Sequence, residues 1–170
     1  MPCIRPLNVQ VSAQGDSFFA YSSSVVLKGG MEATPWVLPT IIPELQNRSV
    51  ISVVSGRRHS AALTSCGKLL TWGECSFGAL GLGDPGELPA GSPGGYAEEE
   101  QRARAWARAS YEDLPDVGVP TEVRFDHRLR AKARVERYCI AVATGERHTV
   151  ALVVDLAGDE VPPEDLEQDV

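Results

Sequence analysis

Short apolar runs separated by a polar turn mark one stretch of this chain. The run Ala61-Ala62-Leu63 is followed by a Ser-Cys-Gly turn that ends at Gly67, and a second apolar run begins at Leu69. Glycine at the end of a three-residue turn favours a β-hairpin, because glycine reaches positive φ at little cost. The first run is continuously apolar, which is typical of a strand covered on both faces. The pattern predicts two strands, at 60–64 and 68–72, enclosed between other layers.

A Gly-x-x-His sequence precedes this hairpin and recurs 89 residues later. Gly56 and His59 correspond to Gly145 and His148, and the apolar positions that follow them align without a gap. Internal repetition of this kind predicts several similar units that cover one another.

Two weaker signals extend the repeat. A fainter copy at 7–24 aligns at an offset of 43, with Asp16 in place of the histidine and Ser17 matching Ser60. The sequences Val-Leu-Pro-Thr at 37–40 and Gly-Val-Pro-Thr at 118–121 precede the two strong copies. Each unit is therefore expected to be a Pro-led strand, a connector and then the Gly-x-x-His hairpin.

Closely spaced glycines follow the hairpin in the order G-x-x-G-x-G. A dinucleotide-binding loop requires G-x-G-x-x-G before a helix, and a P-loop ends in Gly-Lys-Ser/Thr. Here Asp84 and Pro85 follow directly, so no helix can begin at this point. We assign these glycines to turns and expect no bound cofactor.

These features resemble the motif of the regulator-of-chromosome-condensation repeat family. Residues 54–84 match nearly the whole motif, and residues 142–152 match its first third. The motif positions, all expected to be structural, are Gly56, His59, Gly67, Trp72, Gly73, Gly78, Gly81, Gly83, Asp84, Gly145 and His148. The resemblance implies a β-propeller, in this family usually of about seven blades.

The chain carries one complete repeat and two partial ones. We therefore expect an all-β fold, a partial β-propeller of about two to three blades of four-stranded antiparallel sheets with a helical insertion. The predicted order is propeller repeats at 1–84, a flexible insertion with a short helix at 85–119, a partial repeat at 120–156 and an acidic disordered tail at 157–170. A ring cannot close from these residues, which indicates a fragment, a variant gene product or a chain completed by a partner.

A charged segment predicts the helix of the insertion. Glu98 and Arg102, like Glu100 and Arg104, are four residues apart with the acid leading, which supports a helix. We expect Arg102 and Trp106 to be candidate contacts for a partner protein. The alternative is a loop decoration that packs Trp106 against its own blade.

Composition argues against several other classes of protein. The net charge is −7 at pH 7, so nucleic acid is an unlikely partner despite six basic residues between 124 and 137. No apolar run approaches the ~20 residues that span a bilayer, and the first residues lack the apolar segment of a signal peptide. We expect no membrane contact and a cytoplasmic or nuclear location.

Neither cysteine nor histidine forms a site with recognisable chemistry. The cysteines, at positions 3, 66, 75 and 139, include no C-x-x-C pair, so we expect no metal. His59 and His148 stand before predicted buried strands and lack a patterned nucleophile and acid. We predict that both rings are buried and hydrogen-bonded to backbone within their own repeats, and that the chain has no catalytic residue.

The predicted function is a non-catalytic protein–protein interaction module. Beyond the generic motif, the combination of repeat and long charged insertion is similar to fungal members of the family that work with an F-box. That resemblance implies a propeller that recruits a ubiquitination substrate to a Skp-cullin ubiquitin ligase, with the Skp adaptor as a further partner. The alternative is guanine-nucleotide exchange on a small GTPase, or a chromatin-associated regulator of one.

Overall fold

The computed structural model describes residues 8–15, 17–30, 38–75, 78–108, 114–125 and 136–156. Strands dominate this part of the chain. They are β1 Gln10–Gln14, β2 Ser17–Tyr21, β3 Val26–Gly30, β4 Thr40–Ile41, β5 Val50–Ser55, β6 His59–Thr64, β7 Leu69–Gly73, β8 Val117–Glu122, β9 Glu136–Thr144 and β10 Thr149–Leu156. A 3-10 turn at Pro43–Leu45 and the helix α1, Glu99–Arg108, complete the set.

The strands form three antiparallel sheets. Blade 1 has the order β1-β2-β3-β4, blade 2 has the order β5-β6-β7-β8, and a two-stranded sheet, the half-blade, pairs β9 with β10. The expected partial propeller of two to three blades with a helical insertion is confirmed.

The predicted hairpin is present between β6 and β7. Leu63 pairs with Leu69, and Gly67 has a φ of +77°. The side chain of Thr64 closes the turn, because its Oγ1 accepts the backbone N–H of Lys68 at 3.0 Å and donates to the Lys68 carbonyl at 3.2 Å.

The Pro-led sequences do not open a new unit. Strand β8, which contains Pro120, pairs with β7 as the last strand of blade 2, and β4 closes blade 1 in the same way. The order expected for the repeat unit is therefore corrected: the Pro-led strand ends the preceding blade. The predicted boundary between 119 and 120 lies inside β8, and the segment 157–170 is outside the described residues.

Two apolar cores lie between the sheets. The first core joins blade 1 to blade 2, and its central contact is an edge-to-face pair of Phe19 and Trp72 with ring centroids 5.8 Å apart. The second core joins blade 2 to the half-blade. Strand β6 serves both, because Ala62 faces the first core while Ala61 and Leu63 face the second. The continuous apolar run thus belongs to a strand covered on both sides, as predicted.

Blade 1 is shifted by one residue from the sequence alignment. Phe19 faces blade 2 just as Ala61 faces the half-blade, and each pairs with an equivalent β-strand neighbour, Ser12 and Val54. The structural offset in β1 and β2 is therefore 42 residues, whereas the gapless alignment gave 43. The second hairpin of blade 1 is one residue shorter than that of blade 2, because Tyr21 pairs with Val26 whereas Leu63 pairs with Leu69, so the offset becomes 43 residues in β3.

Candidate protein-binding surface

Two equivalent turns meet where blade 2 contacts the half-blade. The Gly56 N–H donates to the His59 carbonyl at 2.8 Å, and the Gly145 N–H donates to the His148 carbonyl at 2.8 Å. A Cβ added to Gly56 would overlap the carbonyl oxygen of Gly145 and would lie 2.6 Å from Cε1 of His59. Glycine is required at position 56 because the two turns approach too closely to leave space for a side chain.

His59 is buried at this junction, with 3% of its surface exposed. Its Nε2 lies 3.0 Å from Oγ1 of Thr149 in the half-blade, and the ring also bonds to the backbone of His148. Burial lowers the pKa of His59 below its usual 6.5, and the backbone hydrogen bond opposes this shift. His59 therefore links blade 2 to the half-blade, and its burial disfavours the charged form of the ring.

The predicted role of the histidines needs correction. His59 is buried, but its partners belong to the next repeat, and the ring of His148 is exposed. Both rings lie against their own glycines, Gly56 and Gly145, so the local turn is the same. The difference arises because His59 is covered by the half-blade, whereas no further sheet in the described part of the chain covers His148.

A cavity of about 260 Å³ opens beside the paired turns. Its charged lining contains three arginines and two glutamates, and the full lining is Arg57, Arg58, His59, Glu74, Ala79, Glu146 and Arg147. Arg57 pairs with Glu146 at 2.8 Å, which links blade 2 to the half-blade, and Arg58 pairs with Glu74 at 2.7 Å. The hydrogen bond from Arg57 lowers the pKa of Glu146. The cavity can accept polar or charged groups of a partner.

The remaining motif residues support the loop after β7. Gly73 has a φ of +111°, and a Cβ there would lie 2.7 Å from the Cα of His59. Thr71 donates to the Leu80 carbonyl at 2.7 Å in the second core, and Asp84 accepts the Gly86 N–H at 2.8 Å. Positive φ angles are also found at Gly78, Gly81 and Gly83. These glycines therefore lie in turns of the loop after β7.

The long insertion between β7 and β8 contains α1. Arg102 donates to Glu99 at 2.8 Å within the helix and to the Gly86 carbonyl at 3.3 Å, so it fastens the helix to the start of the insertion. Arg104, 68% exposed, pairs with Glu100 in the helix. Trp106 belongs to α1, but its side chain is outside the described residues.

Other sequence expectations concern cysteines, metals and membranes. Cys66 is exposed, whereas Cys75 and Cys139 are buried, and burial raises the pKa of both buried thiols. Among the described residues, no group of three or more His, Cys, Asp or Glu side chains could hold a metal. Within the same residues, every helix is too short or too polar to cross a membrane. Cys3, Asp16 and the basic stretch 126–135 lie outside them.

The residues of the half-blade that bond to blade 2 were not predicted from the sequence. Thr149 meets His59, Tyr138 donates its hydroxyl to the Ser65 carbonyl, and the Cys139 N–H donates to the Gly67 carbonyl at 2.9 Å. One signal was available, because a hydroxyl side chain follows the histidine in both strong copies, as Ser60 and Thr149. The contacts of Tyr138 had no such signal, since no equivalent aromatic precedes the other copies.

Antiparallel four-stranded sheets that follow one another along the chain and pack face to face are the arrangement of blades in a β-propeller. No protein-family model matches the chain. Over 46 residues, 27% of its length, it is 46% identical to the E3 ubiquitin-protein ligase HERC2 of Homo sapiens, of which the match covers 1%. Over 49 residues, 29% of its length, it is 49% identical to Protein pim1 of Schizosaccharomyces pombe, of which the match covers 9%.

A solved propeller shows the same fold at greater length. The structure of Prp20p from Saccharomyces cerevisiae, described with its binding properties to Gsp1p and histones, superposes with a TM-score of 0.56 at 19% identity. The alignment covers 89% of this chain and 32% of Prp20p, so the chain spans about a third of that propeller. Over these local stretches the chain is similar to regulator-of-chromosome-condensation repeat proteins, and it is folded as blades of a β-propeller.

The burial of His59 predicts a pH-dependent stability. Because its pKa is lowered in the folded protein, the unfolded chain binds an additional proton below about pH 6.5. The contribution of the neutral ring is complete above that pH and is lost as the pH falls toward the lower folded-state pKa. The free energy of unfolding, measured with denaturant between about pH 7.5 and pH 5.5, should fall less steeply with decreasing pH in His59→Gln than in the wild type.

His148→Gln is the matched control for this measurement. His148 is exposed, so this variant should retain most of the wild-type slope. Equal slopes in the wild type and His59→Gln would show that His59 does not cause the dependence.

Proposed function

We propose that this chain is a non-catalytic protein-interaction module that recruits a substrate to an F-box ubiquitin ligase of the Skp-cullin type. The proposal rests on the insertion between β7 and β8, which contains the charged helix α1 and is attached at both ends to strands of blade 2. Loops fixed to a rigid scaffold commonly carry binding residues. The local identity with an E3 ubiquitin-protein ligase, HERC2, supports the link to ubiquitination.

The insertion is attached firmly enough to present a defined surface. Tyr96 is 2% exposed, and the Gly91 N–H donates to the Tyr96 carbonyl at 2.8 Å, so the segment before α1 is packed on the blade. Arg102 holds the helix to Gly86, while Arg104 remains largely exposed. A partner would therefore meet an ordered helix and would lose less conformational entropy on binding than with a flexible loop.

Trp106 is the proposed anchor of the partner protein. Tryptophan and arginine are the residues most enriched among binding hot spots, and loss of such an anchor typically costs at least about 2 kcal/mol, or roughly thirtyfold in affinity. Trp106→Ala should therefore weaken capture of the ubiquitination substrate by about thirtyfold in a quantitative pull-down.

Val119→Ala is the control for the anchor. Val119 is exposed on β8, outside α1, so its loss should change capture by less than about threefold. Equal capture by the wild type and Trp106→Ala would exclude the anchor. The ligase assignment itself is tested separately, by purifying the full-length gene product and identifying the Skp adaptor among the bound proteins.

The alternative function is nucleotide exchange on a small GTPase, or chromatin-associated regulation of one. The fold similarity to Prp20p, which was studied for its binding to Gsp1p and histones, favours this candidate. The exchange function predicts that the full-length product accelerates release of labelled nucleotide from a small GTPase. Strong exchange without any bound ligase component would replace the ubiquitin-ligase proposal, whereas adaptor binding without exchange would support it.

A further inference from the structure

The cavity beside the paired turns is built on a fixed backbone. Each Gly-x-x-His turn is closed by its own hydrogen bond, and the Glu74 N–H donates to the Arg58 carbonyl at 3.0 Å, which ties the turn of blade 2 to the end of β7. The ion pair of Arg57 with Glu146 then joins the turn of blade 2 to the turn of the half-blade. The arginine side chains are therefore presented from a backbone that a ligand does not need to order.

Positive charge exceeds negative charge in the lining of this cavity. Among the described residues, three guanidinium groups face two carboxylates, and these groups belong to Arg57, Arg58, Arg147, Glu74 and Glu146. The protein as a whole has a net charge of −7, so the cavity is opposite in sign to the molecule that contains it. A cavity of about 260 Å³ with this lining can bind an anionic group of a partner.

The stacking of the sheets does not require these arginines. Blade 1 packs against blade 2 through an apolar core, although its own turn between Gln14 and Ser17 contains no basic residue. The side chains of Arg57 and Arg58 are 70% and 71% exposed, and exposed ion pairs contribute little to stability. Stabilisation of the fold therefore does not account for the concentration of arginines at this junction.

A phosphate group fits this arrangement better than a further carboxylate does. Glu74 and Glu146 already supply carboxylates to Arg58 and Arg57, so a third carboxylate would gain little by displacing either of them. A phosphorylated side chain carries a charge of roughly −2 at neutral pH and three acceptor oxygens, so it can bond to more than one guanidinium at once. Glu146 is 59% exposed and can turn into solvent when a phosphate takes its place on Arg57.

We propose that this cavity binds a phosphorylated side chain of a partner protein, held by Arg57 and Arg58 of blade 2 and by Arg147 of the half-blade. These arginines lie in turns beyond the ends of the strands, so the site is separate from the faces on which sheets stack. The site goes beyond the proposed function, because it is formed by the Gly-x-x-His turns and does not involve α1.

The test measures binding of a fluorescein-labelled, otherwise uncharged peptide with one central phosphoserine to the full chain by fluorescence anisotropy. The wild type should bind this peptide at least about tenfold more tightly than the same peptide with serine or glutamate in place of phosphoserine. Added NaCl should weaken the binding, because salt screens charges at an exposed site.

Two substitutions break the same ion pair but should change binding in opposite directions. Arg57→Gln removes a guanidinium that holds the phosphate and should weaken binding about tenfold. Glu146→Gln removes a carboxylate that competes for Arg57 and should strengthen binding about threefold. If this ion pair served only to join the two sheets, both variants would lose the same contact and would show no such opposite change. Lys68→Gln removes an exposed cation at the opposite end of β6 and, as the matched control, should bind like the wild type.

Three results would overturn the proposal. They are a wild-type chain that does not bind the phosphoserine peptide, equal binding of the glutamate peptide, which would indicate a site for acidic segments, and inorganic phosphate that binds as tightly as the phosphopeptide, which would indicate a site for the free ion. If Arg57→Gln does not fold by circular dichroism, Arg58→Gln replaces it. Trp106→Ala should bind the phosphopeptide like the wild type, so failure of this proposal and failure of the role proposed for α1 are distinguishable.

Discussion

Replacing Trp72 with alanine is expected to lower the free energy of unfolding by about 3 to 5 kcal/mol. Trp72 is 7% exposed and lies in the first core, where its ring contacts Phe19 edge to face at an interplanar angle of 85°. Its removal leaves a large cavity between blade 1 and blade 2 and also removes the aromatic pair. Urea unfolding followed by far-ultraviolet circular dichroism measures the change.

Two further variants test whether the loss of stability comes from the cavity at position 72 and not from any substitution of an apolar residue. Trp72→Phe retains an aromatic ring against Phe19 and should lose less stability than Trp72→Ala. Val119→Ala removes an apolar side chain that is 52% exposed on β8, and it should change stability by about 0.5 kcal/mol or less. A Trp72→Ala protein as stable as Val119→Ala would show that blade 1 is not held by this core.

The blades were predictable because their signals are local. The hairpin of β6 and β7 follows from two apolar runs and one glycine, and Gly67 has the positive φ that the turn requires. The double coverage of β6 follows from consecutive apolar residues, since alternate side chains point to opposite faces of a strand. Gly73 and the glycines of the following loop have positive φ angles.

Features that depend on non-local contacts were not predictable. His59 and His148 share the Gly-x-x-His sequence and the same turn, but only His59 is covered, because burial depends on the sheet that follows. The register of blade 1 was misjudged by one residue, because matching Ser17 to Ser60 gave an offset of 43, whereas the strand pairing gives an offset of 42 in β1 and β2. Strand β8 starts at Val117, 44 residues after β7 ends at Gly73, and no periodicity connects the two strands.

The insertion that carries α1, the candidate protein-binding surface, has some features that were predictable from the sequence and others that were not. The charges of α1 indicated a helix from sequence alone, and its ends at Glu99 and Arg108 lie within the predicted segment. The attachment of Arg102 to the Gly86 carbonyl was not predictable, because it depends on how the insertion folds back. Arg102 is thus partly engaged within the chain.

Replacing Gly56 with alanine is expected to destabilise the protein by about 3 kcal/mol, at the upper end of the range for overpacked sites. The added Cβ would overlap the backbone oxygen of Gly145, which cannot turn away as a flexible side chain could, and it would press on the buried ring of His59. The second core should therefore loosen between blade 2 and the half-blade. Hydrogen exchange should show this as faster exchange at the Gly145 N–H, while blade 1 amides change less.

Gly118→Ala is the control for the glycine substitution. Gly118 lies on β8, and a Cβ there would meet no atom within 4 Å, so its stability should change by about 0.5 kcal/mol or less. A Gly56→Ala protein with the unfolding midpoint of Gly118→Ala would contradict the close approach of the two turns. If instead the loss of stability is accompanied by faster exchange across blade 1 as well, the two cores unfold as one cooperative unit, and the coupling between them is stronger than their separate packing implies.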